Sequence, residues 1–108
     1  LAKRKDRKTI YRLINRYINA LKQRNINVAG SFLFGSYVKG NPSEWSDIDV
    51  AILTDKFIGD SFDFRFLLTK IARDIDVDIE PHPFLIDEFN DDNPLAAEIL
   101  RTGEEINF

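Results

Sequence analysis

Gly35-Ser36-Tyr37-Val38-Lys39-Gly40-Asn41-Pro42-Ser43-Glu44-Trp45-Ser46-Asp47-Ile48-Asp49 joins a small-residue turn to two carboxylates two residues apart. The turn follows an apolar run, Ser31 to Phe34. Glycine lacks a Cβ and tolerates unusual φ/ψ, so backbone there can approach an anion closely. A helix starting just after the turn would add unpaired N–H groups and the positive end of its dipole. Asp47 and Asp49 lie in the strand-like segment Ser46 to Leu53, where alternation places both on one face. Two carboxylates held that close repel unless a cation joins them. Oxygen-only donors suit magnesium, often with substrate phosphates completing the shell. A phosphate cradle beside a divalent metal site points to phosphoryl or nucleotidyl transfer.

Around this segment the chain alternates helix and strand. Ile10, Leu13, Ile14, Tyr17, Ile18 and Leu21 recur at helical spacing and predict a first helix over about residues 4–24. Val28 to Phe34 reads as the first strand, with Gly30 and Ser31 expected to allow close packing under the site. Ser36 to Lys39 begins a short helix that Gly40-Asn-Pro-Ser43 closes. In the second strand, Ile48, Val50 and Ile52 face away from the two acids. Phe57 to Asp63 reads as a loop, and Phe64, Leu67, Leu68, Ile71 and Ile75 as the stripe of a helix ending near Asp74. Asp76 to Phe84 is expected to be a third strand; Pro81 and Pro83 argue for an edge position or for departure from the sheet. Asn93, Pro94 and Gly103 mark the cap, first position and end of a last helix. Glu105 to Phe108 is a candidate closing strand. The pattern predicts an α/β fold, a small mixed sheet flanked by helices, in one domain spanning 1–108.

Composition excludes several classes. The chain of 108 residues has no cysteine, so disulfides, thiolate zinc sites and cysteine nucleophiles are absent. No apolar run approaches a membrane span, and no signal-peptide pattern opens the chain. These features, with the lack of cysteine, fit a cytoplasmic protein. Net charge is −3, but residues 1–24 are strongly basic and the tail from Asp87 to Glu105 is acidic. The basic first helix reads as a solvated face, or as a surface that touches nucleic acid or an acidic partner. Nucleic acid is not required, because few aromatics interleave with the basic cluster.

The stretch from Gly35 to Leu53 resembles the signature of the minimal nucleotidyltransferases (MNT), MntA-like antitoxin type, within the DNA polymerase beta superfamily. That signature is Gly-Ser, ten residues, then Asp-x-Asp; Tyr37 to Ser46 are the ten. The similarity extends through Ile79-Glu-Pro-His-Pro-Phe84 to Glu98-Ile-Leu-Arg-Thr-Gly-Glu-Glu-Ile106. The resemblance implies the polymerase-beta-like nucleotidyltransferase fold and nucleoside monophosphate transfer from ATP or another NTP, with two Mg²⁺ ions. Gly35, Ser36 and Lys39 are the implied nucleotide-binding residues, Lys39 standing where relatives often carry Arg. Asp47 and Asp49 are the implied catalytic and metal-binding acids.

The family uses a third acid on the next strand. Asp76, Asp78 and Glu80 alternate with Ile75, Val77 and Ile79 and are expected to share one face. Ile79-Glu80-Pro81 fits the family pattern, so Glu80 is taken as the third catalytic and metal-binding acid, with Asp78 next as a metal ligand. The family more often has Asp here, and a Glu would alter metal geometry. His82, the only histidine, reads as structural in a strand-end turn, with a cleft-facing position as the alternative. Trp45 and Phe84 read as packing or anchor residues, and Tyr37 as either a phosphate-turn neighbour or a packed helix side chain.

Short members of this family are often encoded beside a helical HEPN protein as antitoxin and toxin. The resemblance therefore implies transfer of AMP to a tyrosine of a HEPN toxin partner. The alternatives are a non-catalytic antitoxin that binds and blocks, and the nucleotide-binding subunit of a two-component transferase for small molecules or nucleic acid.

Overall fold

The computed structural model describes residues 5–40 and 47–108. Its elements are α1 (Arg7–Gln23), β1 (Gly30–Phe34), α2 (Ser36–Lys39), β2 (Ile48–Thr54), α3 (Ser61–Ile75), β3 (Ile79–Leu85), α4 (Pro94–Thr102) and β4 (Glu104–Glu105). A single 3₁₀ turn, Ile86–Glu88, leads out of β3. The four strands form one mixed sheet in the order β3-β2-β1-β4. β1 is antiparallel to both its neighbours, whereas β2 and β3 run parallel with α3 as the crossover. Among the described residues, no helix is long and apolar enough to cross a membrane.

The three longer helices, α1, α3 and α4, each start where a side chain satisfies free N–H groups. Asp6 accepts from Thr9 N at the start of α1, and Asp60 accepts from Asp63 N at the start of α3. Asn93 accepts from Leu95 N and Ala96 N, with Pro94 at the first position of α4. The expected loop from Phe57 to Asp63 is therefore shorter than its sequence suggests. Asp60 is a cap, and the helix it starts begins at Ser61.

Alternation along the strands sorts the sheet into two faces. Leu33, Ile48, Val50, Ile52 and Ile79 pack with the apolar stripes of α1 and α3 in the larger core. There Tyr17, fully buried, donates its hydroxyl to Leu68 O at 2.8 Å. On the other face Phe34, Ala51 and Phe84 pack beneath Ala96 and Ile99 of α4. At roughly 25 cal/mol per Å², each buried Val, Leu, Ile or Phe among them contributes on the order of 1.5–3 kcal/mol.

The prolines in β3 fall at an open edge, as their lack of N–H groups requires. Ile48 N donates to Asp78 O at 2.8 Å. By alternation the even residues of β3 then turn their backbone groups toward β2, and Pro81 and Pro83 face outward. The strand begins at Ile79, later than expected, because Asp76 Oδ1 accepts from Asp78 N and holds Asp76–Asp78 in a turn. Gly30 is not under the candidate site: it pairs with Leu53, at the end of β2 away from Asp49. Ser31 is buried and donates its hydroxyl to Ala51 O at 2.8 Å. The closing strand is two residues long and starts at Glu104, one residue earlier than expected.

Candidate active site

The site lies at one end of the sheet, where β1 finishes and β2 and β3 begin. Phe34 pairs with Asp49 across the antiparallel ladder, so the turn leaving β1 comes back beside the second acid. Gly35 has φ +80° and ψ −149°, a conformation essentially reserved for glycine. A Cβ there would lie 3.2 Å from Asp49 Cγ and 3.3 Å from its Cβ, with Oδ2 closer still. The glycine thus serves two ends: it makes the turn, and it leaves the space that the Asp49 carboxylate fills. Gly35 O accepts from Val38 N and Lys39 N at 3.1 and 3.0 Å, closing the single turn of α2. The N–H groups of Ser36 and Tyr37 head that turn and have no helical acceptor of their own.

Asp49 and Glu80 sit side by side in the parallel register of β2 and β3. Both lie on the α4 face, beyond the region α4 covers, in line with Ala51, His82 and Phe84. Asp47 precedes β2 by one residue and is exposed. It therefore lies outside the alternation expected to put it on one face with Asp49, since the strand starts at Ile48. Glu80 is also approached by Arg65 of α3 at 3.8 Å, around the open edge of the sheet.

Asp78 is placed differently. It lies in the turn before β3, and its carboxylate is 2.5 Å from Lys5 Nζ, with Asp76 3.7 Å from the same ammonium. The hydrogen bond to Asp78 is the main reason that Lys5 is held above its ordinary pKa. The three acids therefore do not share a face. Asp76 and Asp78 belong to an ion-paired turn, and Glu80 alone is in register with Asp49. Lys39 is exposed and reaches Glu98 of α4 at 3.9 Å. Tyr37 packs against the larger core, and its hydroxyl accepts from Lys5 N at 3.2 Å. Phe84 is a core residue, as expected. Trp45 lies outside the described residues.

His82 belongs to the site. Its Nε2 is 3.1 Å from Asp49 Oδ1, and its ring packs edge-on against Phe34 at 4.9 Å. It sits in the middle of β3, not in a strand-end turn. With Asp49 ionised, the imidazole must carry its proton on Nε2 to donate to Oδ1. One carboxylate oxygen is thereby hydrogen-bonded and the other is seated against Gly35. The signal was present in the alternation: His82 and Glu80 are both even residues of β3, so one face carries both.

Asp47, Asp49 and Glu80 offer only carboxylate oxygens, which suits a hard divalent cation such as Mg²⁺. The described side chains include no cluster of three acids or histidines already converged on one point. Glu80 would have to turn from Arg65 to face Asp49. The donor chemistry and the Asp49–Glu80 register fit such an ion.

The family model described as "Polymerase beta, Nucleotidyltransferase" matches residues 15–107, nearly the whole chain. The chain belongs to this nucleotidyltransferase family. No curated protein sequence gives a significant match. Among solved structures, the chain is similar to one from a toxin-antitoxin crystallised with AMP-PNP. The two share 24% identity with a TM-score of 0.62, over 86% of this chain and 71% of that one. A chain of the toxin-antitoxin MntA-HpeT, in mutant form, gives 24% identity and a TM-score of 0.61 over 87% and 71%. A protein from Shewanella oneidensis gives 22% and 0.58 over 94% and 72%. At this identity these likenesses bear on the fold alone, and the family match identifies it as the polymerase beta nucleotidyltransferase fold. Family membership makes the chain a nucleotidyltransferase, and members of this fold generally use divalent metals.

Proposed function

We propose that this nucleotidyltransferase moves a nucleoside monophosphate from an NTP, with ATP the favoured donor, to a hydroxyl of a protein partner. The favoured acceptor is a tyrosine of a HEPN-type toxin, which would make this chain its antitoxin. The observation that carries the transfer reading is the register of Asp49 with Glu80 at the sheet end where the Gly35 turn closes on Asp49. Support for the donor and the partner comes from the similar fold of a chain in a toxin-antitoxin crystallised with AMP-PNP.

In this reading the backbone N–H groups of Ser36 and Tyr37, with the Ser36 hydroxyl, hold the β- and γ-phosphates. Lys39 adds a point charge once it leaves Glu98. Asp47, Asp49 and Glu80 would hold Mg²⁺, two ions by family resemblance; bound there, it supplies charge neutralisation for the triphosphate and acidifies the acceptor hydroxyl. The acceptor oxygen bonds to the α-phosphorus as the bond from that phosphorus to its bridging oxygen breaks. Pyrophosphate leaves with the electron pair, and the hydroxyl proton passes to the Glu80 carboxylate. Most of the rate enhancement is positioning and electrostatic, because the protein forms no covalent bond.

The test is incubation of the chain with labelled ATP, Mg²⁺ and a HEPN ribonuclease, followed by mass analysis and an RNA-cleavage assay. The expected result is a partner heavier by one AMP and silenced, with both effects lost in Asp47→Asn. Silencing that survives Asp47→Asn without a mass change would make the chain a binding antitoxin.

A further inference from the structure

At the open edge of the sheet the surface forms an apolar groove of about 510 Å³. Pro83, Phe84 and Leu85 of β3, Phe57 and Phe62 before and at the start of α3, and Leu95 of α4 line it. Arg65 and His82 bound it toward the acids, and the rest lies at the Phe84–Leu85 end of β3, beyond Glu80. Large apolar side chains stand out of it into solvent. Phe62 is 78% exposed, and Phe66, one turn further along α3, is 63% exposed. Leu95 and Ile86, the latter just past Leu85, are exposed as well. Exposed apolar surface gathered around one groove marks a contact surface for another molecule.

We propose that this groove docks a basic amphipathic helix of a partner protein. The inference is independent of the transfer reading, because it concerns where a protein seats and not what passes to it. Three observations select the occupant. The first is charge. The segments that frame the groove, 56–66 and 85–95, carry six acids, Asp60, Asp63, Asp87, Glu88, Asp91 and Asp92, against two bases, Lys56 and Arg65. All six acids are exposed, and Arg65 already faces Glu80 at 3.8 Å. Such a rim repels nucleic acid and anionic lipid and attracts lysine and arginine. The second is the edge itself. An added β-strand needs N–H donors along β3, and the outward-facing Pro81 and Pro83 have none. The occupant therefore binds through side chains, as a helix laid in a groove does, with apolar anchors at i, i+3, i+4 and i+7. The third concerns a second copy of the chain. Its basic helix, α1, has its apolar stripe buried in its own core. It cannot offer apolar anchors and basic flanks together, so the helix comes from a different protein.

The probe is a synthetic amphipathic peptide of leucine and lysine, about 18 residues, long enough to hold a helix once docked. Its leucines follow the i, i+3, i+4, i+7 spacing. The full chain is titrated with it by calorimetry and by NMR. Saturable binding is expected, with shifts at Phe62, Ile86 and Leu95 and none at Gly35. Phe62→Ser and Leu95→Ser, both at exposed positions, should each weaken the peptide by about tenfold, as for one anchor contact. The same peptide with glutamate for lysine, and a scrambled version without the stripe, should each bind at least about tenfold more weakly. AMP-PNP affinity should stay unchanged in both variants, because the groove lies away from Asp49. Absent binding, binding that survives both substitutions, or equal binding of the glutamate or scrambled peptide would overturn the proposal. So would a parallel loss of AMP-PNP affinity, which would tie these residues to the nucleotide. Two further measurements can also overturn it. A concentration-dependent dimer lost in Phe62→Ser would make a second copy the occupant. Binding to phosphatidylserine–phosphatidylcholine vesicles that is lost in Phe62→Ser would make it a membrane.

Discussion

The Asp49 carboxylate occupies the space that a side chain on Gly35 would need, within 3.2 Å of that side chain's first carbon. The turn and the acid are therefore one unit. Gly35→Ala is expected to displace Asp49 as well as strain the backbone at φ +80°. The strain costs about 1–3 kcal/mol, and metal-dependent nucleotide binding should be lost with it. Gly40→Ala is the control. Gly40 also has positive φ, at +82°, but has nothing within 4 Å of an added Cβ. It should cost stability of about 1 kcal/mol and leave binding intact. Thermal melts and calorimetric AMP-PNP titrations separate the two outcomes; equal binding by the two variants would dissolve the link between turn and acid.

Asp47→Asn with Asp49→Asn should abolish the metal dependence of nucleotide binding. Each change keeps side-chain shape and removes the charge that a divalent cation needs. Mn²⁺ titration with and without AMP-PNP reads this directly. A double variant that binds Mn²⁺ as well as the wild type would place the ion elsewhere.

Glu80 and Asp78 are expected to respond in opposite ways. Glu80→Gln should slow transfer by orders of magnitude, on the order of 10²–10⁴, as for loss of a group that takes a proton in the transition state. Asp78→Asn removes the partner of Lys5 and should cost about 0.2–1 kcal/mol of stability, with little effect on transfer. A large kinetic loss confined to Asp78→Asn would shift the third acid by two residues.

His82 holds Asp49 through Nε2, so it should act through the metal. His82→Ala is expected to lower Mn²⁺ affinity by about 10–100-fold, as for other groups that orient a metal-binding carboxylate. His82→Gln keeps an N–H donor and should recover part of it. A lower melting temperature with unchanged Mn²⁺ affinity would reduce His82 to a packing residue against Phe34.

Glu104 of β4 accepts from Arg7 and Tyr11 of α1, fastening the closing strand to the first helix. The hydrogen bond from Arg7 is the leading reason that its carboxyl sits below the usual Glu range. A depressed carboxyl pKa adds stability that is present above about pH 4.3, the unfolded value. It is lost as pH falls through the folded value. Arg7 is 60% exposed, which limits the effect to about 0.2–1 kcal/mol. Denaturant midpoints should show the wild type ahead of Glu104→Gln at pH 7 and the gap closing below pH 4. A gap that persists in acid would mean the contact is steric and not ionic.

Local patterns in the chain carried the architecture. The helical stripes of α1 and α3, the caps at Asn93 and Gly103, and the edge placement of Pro81 and Pro83 all follow from spacing and from what proline and glycine can do. The Gly35-Ser36 turn and the strand position of Asp49 were legible for the same reason, because short-range geometry dictates a turn and an alternation, whereas Asp47 lies one residue before β2 and outside that alternation. Register is a different kind of fact. Which of Asp76, Asp78 and Glu80 stands beside Asp49 depends on where β3 starts, and that depends on an Asp76 turn and on Lys5 arriving from the far end of the chain. The contact of His82 with Asp49 spans 33 residues. The seat of Asp49 against Gly35 and the reach of Arg65 to Glu80 likewise join separate elements. Such contacts are set by strand pairing and layer packing, whose energies are summed over the whole sheet, so no local window of sequence contains them.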